Sequence, residues 1–248
     1  ELTVSASMGV SIYPDDATEL KKLLSNADLA MYRAKQSTDR KICWYEKDMD
    51  EETRYRNMLA ADIRKGIKDG QFYIYYQEKR SIRDKEISGY EALLRWRHPR
   101  LGIIAPDVFI PIAEESGAIV PLGYWVIKTV CQEAMVNQLN KKVSINISPV
   151  QLRHPNFIDR VRTILMRSDY PLSLLEFEVT ETAFIINKNL TFNVLHQFQK
   201  MGISIALDDF GTGYSSLSTL REFQFDVIKL DKSFLTNVEN NFQERSFV

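Results

Sequence analysis

Apolar residues recur at two different periods along the chain, and each change of period marks a new element. Leu20, Leu23, Leu24, Ala27 and Met31 stand at helical spacing, which predicts a helix over 20–35. A strand over 3–13, closed by the turn Pro14-Asp15-Asp16, precedes it, and a short strand over 42–45 follows. The next helix starts near Asp50, carries Glu51 and Glu52 in its first turn, and stops at Gly70. Strands over 72–77 and 87–97 flank a polar turn, which predicts an antiparallel pair. Helices over 106–116 and 122–140 come next, with Pro121 and Gly123 breaking the apolar run at their junction. Strands over 143–147, 174–179, 204–208 and 226–230 then alternate with helices over 157–166, 190–201 and 216–222. Repeated strand–helix units predict a parallel sheet covered by helices, either a β/α barrel or a doubly wound sheet.

Side chains on a strand alternate between faces. Val143, Ile145 and Ile147 oppose Ser144 and Asn146, and Leu175, Phe177 and Val179 oppose Glu176 and Glu178. Ile205 and Leu207 oppose Ser204, Ala206 and Asp208, and Ile228 and Leu230 oppose Val227 and Lys229. Tyr90, Ala92, Leu94 and Trp96 oppose Gly89, Glu91, Leu93 and Arg95. One face suits packing under helices. The other carries a charged or amide residue near the strand's C-terminal end, where barrel active sites sit. Glu91, Asn146, Glu178, Asp208 and Lys229 are therefore expected to converge, with Asp209 beside them on the loop.

Composition narrows the partners. The chain has 248 residues, 44% hydrophobic and 26% charged, with 32 basic and 33 acidic residues. That balance is ordinary for a globular protein and gives no surface for a nucleic-acid polymer. A nucleotide ligand would be small and held in a pocket. Two cysteines, Cys43 and Cys131, make no metal or disulfide pattern, which fits a reducing cytoplasm. No apolar run has the length of a membrane span, so membrane attachment is expected only from segments upstream of Glu1. Carboxylates and one amide, without His or Cys, form a hard-oxygen set suited to Mg²⁺ or Mn²⁺. Two such ions could activate water against a phosphodiester. Lys229 could neutralise a phosphate or hold the attacking water, and Arg95 could grip a phosphate through its forked donors.

The same residues carry a resemblance. Tyr90-Glu91-Ala92-Leu93-Leu94-Arg95-Trp96 resembles the signature of the EAL family of bacterial cyclic di-GMP phosphodiesterases. The stretches 72–77, Asn146-Ile147-Ser148, Glu178-Val179-Thr180-Glu181, Asp208 through Leu217 and Lys229-Leu230-Asp231 resemble five further family segments in order. The resemblance implies a TIM-like β/α barrel with one antiparallel strand, and hydrolysis of cyclic di-GMP to linear pGpG. It implies metal ligation by Glu91, Asn146, Glu178, Asp208 and Asp209. Substrate contacts fall to Gln77, Glu91, Leu93, Arg95 and Asp208. Lys229, Asp209 and Glu181 are the implied catalytic residues, Glu181 as support of the neighbouring loop. It also implies a homodimer in the complete protein, made partly through the loop carrying Tyr214.

Residues 2–46 resemble the tail of a GGDEF (diguanylate cyclase) domain, through Ser7-Met8-Gly9-Val10 and the stretch 27–35. The family's nucleotide and metal residues are not in that piece, so it is not expected to make cyclic di-GMP. The expected division is 1–46 for this remnant, 47–70 for a linking helix and 71–248 for the EAL barrel. In the family two more strands follow the lysine strand, one with a glutamate and one with a glutamine. The chain stops before both, so the barrel is expected to be C-terminally incomplete and this piece weak or inactive. Glu78 stands where the family usually has proline. The rival expectations are a silent cyclic di-GMP sensor and a dimerising scaffold.

Overall fold

The computed structural model of the chain describes residues 6–36, 41–211 and 217–231, and it falls into two compact units that divide after Asp62. In the first unit β1 (Met8–Val10) pairs in parallel with β2 (Ile42–Trp44), and α1 (Leu20–Gln36) packs on them. Gly9 permits that packing: a Cβ there would lie 1.9 Å from the Ala27 carbonyl oxygen. Among the described residues the expected strand over 3–13 shrinks to 8–10, and residues 3–5 lie outside them. The strand ends because the Asp16 carboxylate takes the Ile12 N–H at 2.6 Å and bends the backbone into a turn. α2 (Asp48–Lys68) opens with Asp48, Asp50 and Glu51 in its first turn, where the helix dipole favours acids. Gly70 follows its end at φ 68°.

The second unit is a curved sheet with strand order β3 (Phe72–Arg80), β4 (Ile87–His98), β6 (Lys142–Asn146), β7 (Leu175–Thr180), β8 (Ser204–Phe210) and β9 (Val227–Leu230). β3 runs antiparallel to β4, and every later pair is parallel. This is the β/α-barrel arrangement with one reversed strand. Its described path ends at β3 and β9.

Helices α3 (Pro106–Glu115), α4 (Ile119–Val136), α6 (Phe157–Met166) and α7 (Lys188–Lys200) join the short helices α5 (Pro149–Leu152) and α8 (Leu217–Glu222) between the strands. A short strand β5 (Gly102–Ile104), not expected from the pattern, folds back on β4. α4 starts three residues before the expected 122, because Pro121 falls in its first turn, where its missing N–H breaks no hydrogen bond.

The outward strand faces make the core. Ile145, Phe177 and Ile205 lie in adjacent strands and are 1%, 0% and 0% exposed. Phe177 meets Phe198 of α7 edge to face at 5.0 Å, and Phe198 meets Phe157 of α6. Among the described residues no helix is long and apolar enough to cross a membrane.

Candidate active site

The alternation that points Phe177 outward points Glu176 and Glu178 inward. Inward positions on five strands bring Glu91, Asn146, Glu178, Asp208 and Lys229 together. Lys229 Nζ donates to Glu178 Oε2 at 2.6 Å, Asp208 Oδ2 at 3.0 Å and Glu91 Oε2 at 3.4 Å. Asn146 Nδ2 donates to Glu91 Oε1 at 3.0 Å. Just beyond Asn146, the Ser148 side chain and Gln151 form a capping box on α5, and Ser148 Oγ donates to Glu114 Oε1 at 2.6 Å. These contacts fix the end of β6 and so the amide it carries.

Burial works to lower the Lys229 pKa. The hydrogen bonds to Glu178 and Asp208, and their charges, outweigh it and hold the ammonium above the usual lysine range.

Asp209 was expected on a loop but lies within β8, where the ladder to β9 shifts register between Leu207 and Phe210. A bulge re-aims the side chains it carries. Asp209 takes φ 54°, and its N–H donates to Asp208 Oδ1 at 2.9 Å. Partial burial first, then the charge of Asp208, pushes the Asp209 carboxyl above the usual range, against the pull of Lys229. Glu181 begins the turn after β7, is 4% exposed, and accepts the Gly211 N–H at 2.8 Å. It thereby ties that turn to the chain leaving β8. Tyr214 lies outside the described residues.

In the β3–β4 ladder Gln77 faces Glu91, Tyr75 faces Leu93 and Tyr73 faces Arg95, so all six share the inward face. The Arg95 guanidinium donates to the Leu94 carbonyl at 2.8 Å and lies 5.6 Å from the Tyr75 ring centre. A cleft of about 500 Å³ runs from Leu93, Arg95, Asn146 and Glu178 to apolar Ile110 and Leu122. Gln77 is exposed and outside its lining.

Three inner residues escaped the sequence reading as site residues: Lys79, Ser144 and Glu176. Lys79 Nζ bonds Glu178 Oε1 at 2.6 Å and Glu176 Oε1 at 3.2 Å, and also meets Ser144 Oγ. Ser144 and Glu176 were visible as inward positions. Lys79 was not, because the strand was expected to stop at Gln77, two residues earlier on the same face.

Among the described residues, four carboxylates (Glu91, Glu176, Glu178 and Asp208) thus meet two ammoniums, Lys79 and Lys229. Two negative charges are left over, and the mouth offers carboxylate and amide oxygens. That chemistry fits a hard divalent cation. No three His, Cys, Asp or Glu side chains among the described residues close into a metal cage; the Lys229 ammonium stands where the carboxylates meet.

Residues 60–248 match the family model of the EAL domain. The chain belongs to the EAL family. Ahead of the EAL domain, residues 1–41 match the model "Diguanylate cyclase, GGDEF domain" and are a fragment of one. Over its whole length the chain is 41% identical to an "Uncharacterized signaling protein" of Caulobacter vibrioides, and covers 31% of that relative. It is 36% identical over 251 residues to the "Cyclic di-GMP phosphodiesterase PdeR" of Escherichia coli, again over its whole length, and covers 38% of it. The chain therefore spans about a third of the length of these curated relatives. Its fold is similar to the solved structure "PaMucR Phosphodiesterase, c-di-GMP complex", with TM-score 0.69 and 34% identity over 77% of this chain and 78% of that one. EAL phosphodiesterases as a class generally depend on divalent metal.

Proposed function

We propose that this EAL domain belongs to a cyclic di-GMP phosphodiesterase and supplies the residues that hydrolyse one phosphodiester to give linear pGpG. The observation that carries the reading is the convergence of Glu91, Glu178 and Asp208 on Lys229. The relatives named above for this activity and the nucleotide complex support it.

Glu91, Asn146, Glu178, Asp208 and Asp209 would hold two Mg²⁺ or Mn²⁺ ions. Bound there, the ions would polarise a phosphodiester and lower the pKa of a water. Arg95 and Gln77 orient the nucleotide, with Leu93 against it in the cleft. Lys229 steadies the attacking water or the phosphate charge. Glu181 keeps the chain after β8 in place. Water adds to phosphorus as the bond to the 3′-oxygen breaks, and a proton passes to that leaving oxygen.

The division at 46 and 70, a cytoplasmic location and a homodimer through the EAL domain complete the proposal. The free thiols Cys43 and Cys131 fit the reducing compartment.

The test is turnover of cyclic di-GMP by the full-length protein, followed by chromatography of pGpG. Mg²⁺ or Mn²⁺ should support it and Ca²⁺ should support it poorly. Asp208→Asn should lower it about 100-fold or more while nucleotide binding partly survives. Full activity in metal-stripped protein would refute the metal role. Binding without turnover in every metal would turn the reading to a sensor.

A further inference from the structure

The floor of the site holds an ammonium that the proposed reaction does not use. β3 runs against the other barrel strands, so its early residues lie at the mouth and its late residues lie deep. Lys79 stands opposite Gly89 in the β3–β4 ladder. With no side chain at Gly89, the Lys79 stem can cross that position into the interior. A Cβ at Gly89 would also lie 2.8 Å from the Lys142 carbonyl oxygen.

The Lys79 ammonium reaches Glu178 Oε1 at 2.6 Å and Glu176 Oε1 at 3.2 Å, and Ser144 Oγ donates to Glu176 Oε1 at 2.7 Å. The Glu178 side chain is 0% exposed and that of Glu176 5%. Glu178 is thus held at both oxygens, Oε2 by Lys229 and Oε1 by Lys79. The last torsion of a glutamate is broad, so a carboxylate held at one oxygen can swing where one held at two cannot.

We propose that Lys79 is a positioning residue of the metal site, acting through Glu178. It fixes the rotation of that carboxylate and leaves Oε2 presented to the mouth, while Ser144 and Glu176 hold Lys79 itself. The assignment rests on the metal reading of Glu178 above and adds the residue that sets its orientation. Hydrogen-bonded partners of this kind align metal ligands elsewhere in proteins.

Lys79→Met alone would leave buried carboxylates short of a cation and could unfold the barrel. Lys79→Met with Glu176→Gln removes one charge of each sign and keeps the balance. Mn²⁺ affinity would be measured by calorimetric titration without nucleotide, with a urea midpoint to check folding. The double variant should fold and bind Mn²⁺ about 10-fold more weakly than the wild type. Glu176→Gln keeps the Lys79–Glu178 pair and an oxygen that still accepts from Lys79 and Ser144, and should bind close to wild type. Ser144→Ala keeps every charge but frees one anchor of Lys79, and should weaken Mn²⁺ in the same direction; it serves if the double variant does not fold. Wild-type Mn²⁺ affinity in the folded double variant, or in Ser144→Ala should the double variant be unfolded, overturns the assignment and leaves Lys79 a charge balancer. A wild-type chain that takes up no Mn²⁺ overturns the metal reading itself, and the assignment with it.

Discussion

Lys229 touches three carboxylates within 3.4 Å while a quarter of its side chain stays exposed, at 25%. Its raised pKa has a definite sign. The pair stabilises the fold fully below the unfolded lysine value of about 10.4, and the contribution is lost as pH climbs through the folded value. At neutral pH its removal takes the ammonium from Glu91 and Asp208 and leaves Glu178 with Lys79 alone. Lys229→Met should therefore lower the urea-unfolding free energy of metal-free protein by about 3 kcal/mol. Adding Asp208→Asn should recover part of that loss; purely additive effects in the double variant would count against a shared network. Residues such as Lys229 and Glu178 were legible because a period of two puts every second side chain on one face. Lys79 was hidden by a boundary error of a few residues, since polar Glu78, Lys79 and Arg80 read as turn although they continue the ladder.

Each barrel strand serves two environments with consecutive residues. Phe177 packs under α7 between two inward acids, so core and site share one backbone. Phe177→Ala should cost about 3–5 kcal/mol in chemical denaturation. A cost no larger than that of an exposed aromatic such as Tyr75, 54% exposed, would contradict this core. Most strands and helices were readable because their apolar periods are unbroken. β5 was not: three residues joined to β4 by a tight turn carry too little pattern to register. The bulge at Asp209 was equally silent, because register is set by the partner strand and not by the local sequence.

At the scale of the whole molecule, periodicity left a barrel and a doubly wound sheet equally open. Strand order decides between them, and it depends on contacts between distant segments. The surplus of negative charge inside the barrel also belongs to this scale, since it is summed over strands far apart in sequence. A divalent cation that relieves it should raise the melting temperature. At 100 times its dissociation constant the gain is about 2.7 kcal/mol. Melting curves with and without Mg²⁺ would show it, and Asp208→Asn should shrink the shift. The reversed direction of β3 reaches further. It sends the turn over 81–86, where Ile82 is 88% exposed, to the end of the barrel away from the mouth. Connections at the mouth are constrained by the ligand they must touch, whereas this turn bonds within itself, the Ser81 N–H to the Glu86 carbonyl and the Lys85 N–H to the Ser81 carbonyl. A fluorescent label or a small folded insert could be spliced there, and a lineage could lengthen it, while the chemistry at the opposite end stays as it is.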